Sequence, residues 1–288
     1  MSRLYKRFLS LSLIKPKVDK VLSHFFFQAL PNGVTITALE VKFKIEKNLG
    51  KQPNKATITI TNLSEESRSH VQKTPLIVRL AVGYEGPENL QHLFSGDLRI
   101  SDTVFNGPHV ETTLEMGEGD RCYQFAHFSK SYSNSTVLRA VTDVLGTMQL
   151  PVPASLASIA ALKIPYTGAL HGPAERELST LLTPAGIGWS IQDGRFVALK
   201  TTQAREGQAI VIQEGDGMVG SPAITAAKKP GETPSLGVKT LIDPRITPGC
   251  KIDVRSRDVN GLFRVEKLDH TGDFRAVDWY TQIRAKRL

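Results

Sequence analysis

The stretch from Ser235 to Leu288 constrains the fold most, because four strand-like runs are packed around one turn, Asp243-Pro244-Arg245-Ile246-Thr247-Pro248-Gly249. Ser235 to Ile242 leads into the turn, and Cys250 to Ser256 alternates Ile252 and Val254 with charged neighbours. Gly261 to His270 and Val277 to Lys286 follow, each bounded by Gly, Asn or Asp. A period of two bounded by turn residues is the pattern of β-strands. This end of the chain reads as a complete β-structure, with Pro248 and Gly249 shaping its turn and Trp279 and Tyr280 on its last strand.

At 288 residues the chain exceeds a typical single domain, and a compact fold of this size buries roughly three quarters of its unfolded surface. Only two cysteines occur, Cys122 and Cys250. Their separation indicates neither a disulfide framework nor a closely spaced zinc set, so both are expected as reduced, buried thiols. Lys plus Arg number 36 against 28 Asp plus Glu, giving +8, a balance that suits acidic partners; the basic residues are nonetheless scattered. Arg3, Lys6 and Arg7 before a Leu-rich run imitate a targeting peptide, yet Ser10 and Ser12 alternate with Leu9, Leu11 and Leu13 in a strand period. No segment approaches the ~18 apolar residues that a membrane span needs. The expectation is a soluble, cytoplasmically made protein.

Taken in order, Phe8 to Ile14 reads as a strand, Lys15 to Asp19 as a turn, and His24 to Ala29, with Phe25 to Phe27, as either a strand buried on both faces or the edge of an interface, ended by Pro31-Asn32-Gly33. From Val34 to Glu46 apolar residues alternate with a phase change near Leu39, setting Val41, Phe43 and Ile45 inward against Lys42, Lys44 and Glu46. With Ala56 to Thr61 this stretch is expected to form one long hairpin. Asn62 or Ser64 caps a short helix that ends before Pro75, and Leu76 to Tyr84, His92 to Val104 (broken at Gly96-Asp97) and Val110 to Gly117 are further strands.

The period then changes. Val137, Leu138, Val141, Val144, Leu145 and Met148 share one helical face, with Asn134-Ser135 as the cap and Pro151 beyond the end. Pro151 to Leu156 is a connector, Pro173 opens a second helix carrying Leu178, Leu181 and Leu182, and Trp189 to Leu199 is a hairpin over Asp193-Gly194. Gln208 to Gln213 reopens the β pattern, and Ala223 to Pro234 is a loop. The division expected is 1–125 β, 126–205 helix-helix-hairpin module, 206–288 β: a mainly β chain with an α+β insertion.

No arrangement of residues announces chemistry. Glu115, Glu118 and Asp120 could serve as the carboxylate pair of a cell-wall-degrading tail enzyme, but solvated turns are rich in the same residues. Glu214 to Gly217 lacks the twelve-residue calcium pattern, the seven histidines show no metal spacing, and no GxSxG, P-loop or dinucleotide motif is present. No catalytic, cofactor or metal residue is assigned. Terminal Arg and Lys could touch nucleic acid, with Phe25 to Phe27 or Trp279-Tyr280 stacking bases, against the alternative of a solvated face with buried aromatics.

The segments "LIDPRITPG", "NGLFRVEKLDHTGD" and "DWYTQIRA" near the end, and "VRLAVGYEG", "LFSGDLRIS" and "TTLEMGEGD" nearer the start, resemble baseplate hub proteins of contractile-tailed bacteriophages, the late control protein D type. The resemblance covers the chain from about Val34 onward and no fused lysozyme-like domain is recognised. It implies two tail-tube-like antiparallel β-barrels flanking the module. It further implies a homotrimer whose pseudo-sixfold ring joins a sixfold tail tube, or a distal tube-initiator protein, to a threefold central spike. Tape measure and baseplate wedge proteins would be further neighbours, and DNA would only pass through the lumen. Such a protein is assembled in the bacterial cytoplasm and resides in the virion. Val41, Phe43, Ile45, Pro248, Gly249, Trp279 and Tyr280 are then structural or interface candidates.

Overall fold

The computed structural model describes residues 6–14, 34–72, 76–164, 168–200, 202–226 and 234–288. The expected turn at Lys15 to Asp19, the Phe25 to Phe27 strand and the Pro31-Asn32-Gly33 turn lie outside these residues. The first β part holds β1 (Arg7–Ile14), β2 (Val34–Ile36), β3 (Val41–Asn48), β4 (Lys55–Thr61), α1 (Glu65–Gln72), β5 (Ile77–Tyr84), β6 (Gln91–Asn106) and β7 (His109–Gly117). The middle holds α2 (Asp120–Phe125), β8 (His127–Tyr132), α3 (Val137–Thr147), β9 (Gly168–Pro173), α4 (Ala174–Leu182), β10 (Ile187–Gln192) and β11 (Arg195–Lys200). The last part holds β12 (Ile210–Gln213), β13 (Ala223–Thr225), β14 (Ser235–Leu241), β15 (Lys251–Arg255), β16 (Asn260–Asp273) and β17 (Trp279–Arg287). The chain is mainly β, as expected, and the described helices α2 to α4 lie in its middle part.

The two β parts form one sheet. Its strands run β13-β14-β17-β16-β3-β4-β7-β6-β5-β1-β2, with β12 and β15 attached beside β16. The crossing lies on β16: Asn260 to Arg264 pair with β15, then a bulge falls between Val265 and Lys267, and Lys267 to Asp273 pair with β3. A bulge turns a strand and re-aims its side chains, and here it is the point where the strand exchanges one neighbour for the other. This sheet does not close into two separate barrels. Alternation explains the strands, since β3 buries Val41, Phe43 and Ile45 and exposes Lys42 and Lys44.

Each part nevertheless has its own core. Leu11, Leu13, Val41, Ile45, Ile58, Leu80 and Leu114 centre the first, and Ile242 and Trp279 join it from the C-terminal part. Ile212, Val238, Ile252, Val254, Val265 and Ile283 centre the second. The middle has a third, built from Val141, Val144, Leu145, Leu178, Leu182, Trp189 and Phe196 together with Cys122. Full burial of each such aliphatic side chain contributes about 1.5–3 kcal/mol.

Several local expectations are corrected. The Val34 to Glu46 hairpin is two strands: β2 pairs with β1 across Ile36 and Leu11, and only β3 forms the hairpin with β4. The phase change near Leu39 is the break between them. β6 runs unbroken through Gly96-Asp97, because Gly96 gives room to the Phe94 ring, 2.7 Å from where a Cβ would stand. Thr136, not Asn134 or Ser135, caps α3, its hydroxyl accepting from Arg139 N at 3.3 Å while Asn134 takes a left-handed φ of 48°. Part of the Ala223 to Pro234 loop is β13, and Ala154–Ile159 in the Pro151 to Leu156 region is a 3-10 helix. Cys122 is buried, whereas Cys250 is half-buried. The Asp193-Gly194 hairpin stands as read: both residues have positive φ, 50° and 73°, as a type I′ turn requires. Among the described residues no helix is long and apolar enough to cross a membrane.

Candidate assembly surface and its buried supports

One face of the sheet is wet across many strands. Lys44 lies opposite Thr271 of β16 and Thr57 of β4, and Thr57 opposite Glu115 of β7; Thr271 in turn lies opposite Tyr280 of β17. Its charges neutralise one another locally, with Lys42 Nζ 3.0 Å from Glu40, Lys44 Nζ 2.9 Å from Glu46 and Lys267 Nζ 3.1 Å from Asp269. Exposed pairs of this kind contribute little to stability, and their effect here is a hydrophilic face of mixed sign. Tyr280 lies on it half-buried, beneath Lys239 Nζ at 3.9 Å from its ring centroid.

On the opposite face the structure brings Phe43 and Trp279 together, edge to face, with centroids 5.4 Å apart and planes at 76°. Gly272 makes this possible: it pairs with Phe43 on one side and Trp279 on the other, and a Cβ there would stand 2.2 Å from Phe43 Cζ. Trp279 is wholly buried and the Arg7 guanidinium lies 5.3 Å from its ring. Arg7 also donates to Ala276 O at 2.7 Å and Val277 O at 3.1 Å, so β1 is tied to the loop before β17. Val41 and Ile45 are core neighbours of Phe43 on the inward face of β3. Pro248 and Gly249 are elsewhere. Both are buried, and Gly249, at φ 86°, lies against Leu199 and Arg205 while its carbonyl accepts from Arg205 N at 2.8 Å. They seat the exit of the module on the last β part. All but Tyr280 of the seven sequence candidates are therefore buried supports, and the exposed surface is made by other residues.

A polar seam joins the module to the first β part, and the sequence reading missed most of it. The tip of the β10–β11 hairpin enters a buried cluster: Lys47 Nζ lies 2.7 Å from Asp193 Oδ1 and His92 Nε2 3.7 Å from it. Glu118 accepts from Gly194 N at 3.1 Å and Asn54 Nδ2 at 2.7 Å, and Gln192 Nε2 donates to Asn48 O at 2.6 Å. Burial, and then the charge of Asp193, push the Glu118 carboxyl up to about 7 against the opposing pull of Lys47. Burial would raise Asp193 as well, but Lys47 more than offsets it and the carboxyl is lowered. Burial pushes His92 down to about 4 and His270 down to about 3. Glu118 is thus a buried anchor. Asp120 is held by Arg99, and Glu115 lies on the wet face of the sheet. A signal existed in Lys47, which falls in phase with Val41, Phe43 and Ile45 and had to be buried; a charge at an inward position requires a partner.

Among the described residues no group of three or more His, Cys, Asp or Glu side chains is arranged to hold a metal ion.

The fold is that of phage tail proteins. A 43 kDa tail protein of prophage MuSo2 from Shewanella oneidensis superposes with a TM-score of 0.64 at 7% identity over 96% of both chains. A tail protein from Neisseria meningitidis MC58 gives 0.60 at 11% identity, over 97% of this chain and 96% of that one. The c3393 protein of E. coli, a component of the type VI secretion system with structural similarity to the T4 tail proteins gp27 and gp5, gives 0.52 at 11% over 86% and 73%. No curated protein matches the sequence. The model of the baseplate hub gp41 family matches residues 26–285, and the chain belongs to that family of bacteriophage tail structural proteins.

Proposed function

We propose that this chain is the hub of a tail baseplate, a homotrimeric adaptor between the sixfold tail tube and the threefold central spike. The observation that carries the reading is the single sheet with two separate β cores, linked through β3 and β16. A chain built in this way presents two wall segments side by side, so three copies supply six. Each β part, with the divisions 1–125 and 206–288, acts as a tube-like unit completed on assembly, and 126–205 is a module on the wall. The mixed-sign wet face is the lumen side, where DNA passes without being held. Tube or tube-initiator protein and spike are the axial neighbours, with tape measure and wedge proteins beyond. The protein is assembled in the host cytoplasm and stays in the virion as a non-enzymatic part. The likeness of c3393, a type VI secretion component, to T4 tail proteins supports placement in a tail-like assembly by analogy of fold alone.

Mass by light scattering, alone and with spike and tube proteins, followed by imaging, tests this. A threefold particle is expected. A chain that stays monomeric beside both partners, and binds DNA with steep salt dependence, would replace the hub reading with a nucleic-acid one.

A further inference from the structure

Among the strand edges that the sheet leaves open in the described residues, two lie at the ends of its wet face. β5 pairs with β6 only as far as Ile77 opposite Asp97, and Leu98 N reaches back to Leu76 O at 2.9 Å. From Arg99 to Asn106 the ladder partner of β6 among the described residues is β7 alone. This free edge carries Ile100, Val104 and Phe105, exposed by 56%, 55% and 69%. At the other end β13 pairs, among the described residues, only with β14, and its Ile224 is 57% exposed. An unpaired edge with apolar side chains is a template for another strand.

Three features match these edges to each other. The first is direction. From β13 through β14, β17, β16, β3, β4 and β7 to β6 every pairing is antiparallel, and the strands number eight. With an even number, β6 and β13 point oppositely, so β13 of a following copy meets β6 antiparallel like every other joint. The second is facing. Ile224 lies opposite Leu236, which is buried in the second core. Ser101 lies opposite Leu114, buried in the first, and Thr103 and Phe105 follow it on the same side, Phe105 beneath the Arg68 guanidinium of α1. Ile224 and Phe105 therefore share the dry side, while Ile100 and Val104 continue the wet face with Ala223 and Thr225. The third is symmetry: two different edges joined head to tail make a heterologous contact, which closes into a ring when the rotation between copies is a whole fraction of a turn, as the threefold reading requires.

We infer that the distal half of β6, Arg99 to Asn106, pairs antiparallel with β13 of a second copy of this chain, so that the wet face continues unbroken from copy to copy. This rests on the ring reading above and names its contact.

Paired cysteines test it. Ile224→Cys is combined in turn with Ser101→Cys, Thr103→Cys and Phe105→Cys, and the full-length proteins are oxidised after their mass is measured under reduction. At least one double variant is expected to give a covalent ladder ending at three chains, and every single variant is expected to remain uncrosslinked. Reduced trimers without that ladder in any double variant would overturn the edge contact and leave the hub reading intact. Cross-linking by a single variant, or within one chain, would equally overturn it. Monomers under reduction in the parent protein would overturn both. Ile224→Lys, which places a charge at the edge without touching a core, should raise the trimer dissociation constant at least tenfold with the monomer's melting temperature held; unchanged assembly would count against the contact.

Discussion

Replacing Trp279 by Ala removes a fully buried ring from the point where the last strand enters the first core. Transfer and cavity terms for an aromatic-to-Ala change are about 3–5 kcal/mol. The lost edge-on contact with Phe43 adds about 0.5–1.5 kcal/mol, and the Arg7 contact about 0.5–1 kcal/mol. Since the three are not independent, about 4–6 kcal/mol is expected. At roughly 2–4 °C per kcal/mol for chains of this order of size, the β-structure should melt about 10–20 °C lower. The assay discriminates because the chain has two tryptophans. In Trp279→Ala the remaining one, Trp189, stands in the module core stacked on Phe196 at 5.6 Å. Far-ultraviolet circular dichroism then follows the sheet and fluorescence follows the module. The sheet transition should fall while the Trp189 transition moves much less. A sheet transition within about 2 °C of the parent would refute the reasoning, since a loss as large as a buried aromatic truncation brings cannot be hidden in so small a shift.

Gly272→Ala forces the Phe43 ring aside and should cost about 1–3 kcal/mol by overpacking; adding Phe43→Leu should recover most of this in denaturant titrations, and strict additivity would show that the ring is not what the new methyl meets. For Glu118, the folded carboxyl holds its proton up to about pH 7 while the unfolded one releases it near 4.5, so its contribution is present below 4.5 and lost as pH rises toward 7. Relative to Glu118→Gln, which has no proton to release, the parent should lose on the order of 3 kcal/mol across that window and change no further above it; parallel pH profiles of the two would show that the seam carries no such proton.

The strands were legible because burial of one face imprints a period of two, and β1, β3, β4 and β17 follow it closely. The helix α3 and the Asp193-Gly194 turn were equally plain, one from an apolar stripe and the other from a backbone that only a few residues tolerate. Pairing was not legible. Period two says which way Val41 and Phe43 point and nothing about whether the next strand is β4 or β16, which arrives from more than two hundred residues away. Hence the two β parts read as separate while they share a ladder. The strand pattern placed Trp279 on the last strand, but its neighbour Phe43 could be found only in three dimensions. Glu118 and Asp193 sit in turns, where acidic residues ordinarily meet water, so the sequence offered no reason to bury them beside Lys47.

The three cores are held together by seams of different character. Between the β parts the seam is a backbone ladder, β3 to β16, backed by the Phe43–Trp279 contact. A ladder transmits position along every residue, so the two β parts act as one. The seams of the module are polar: the Lys47, Asp193 and Glu118 cluster toward the first part, and toward the last Arg264, which donates to Lys200 O at 3.1 Å and Gln203 O at 2.7 Å, with Arg205 bonded to Thr247 at 3.0 Å. Buried ionic contacts repay much of their own desolvation and add little net stability, but they are directional. They fix where the module sits without merging its core into either β core.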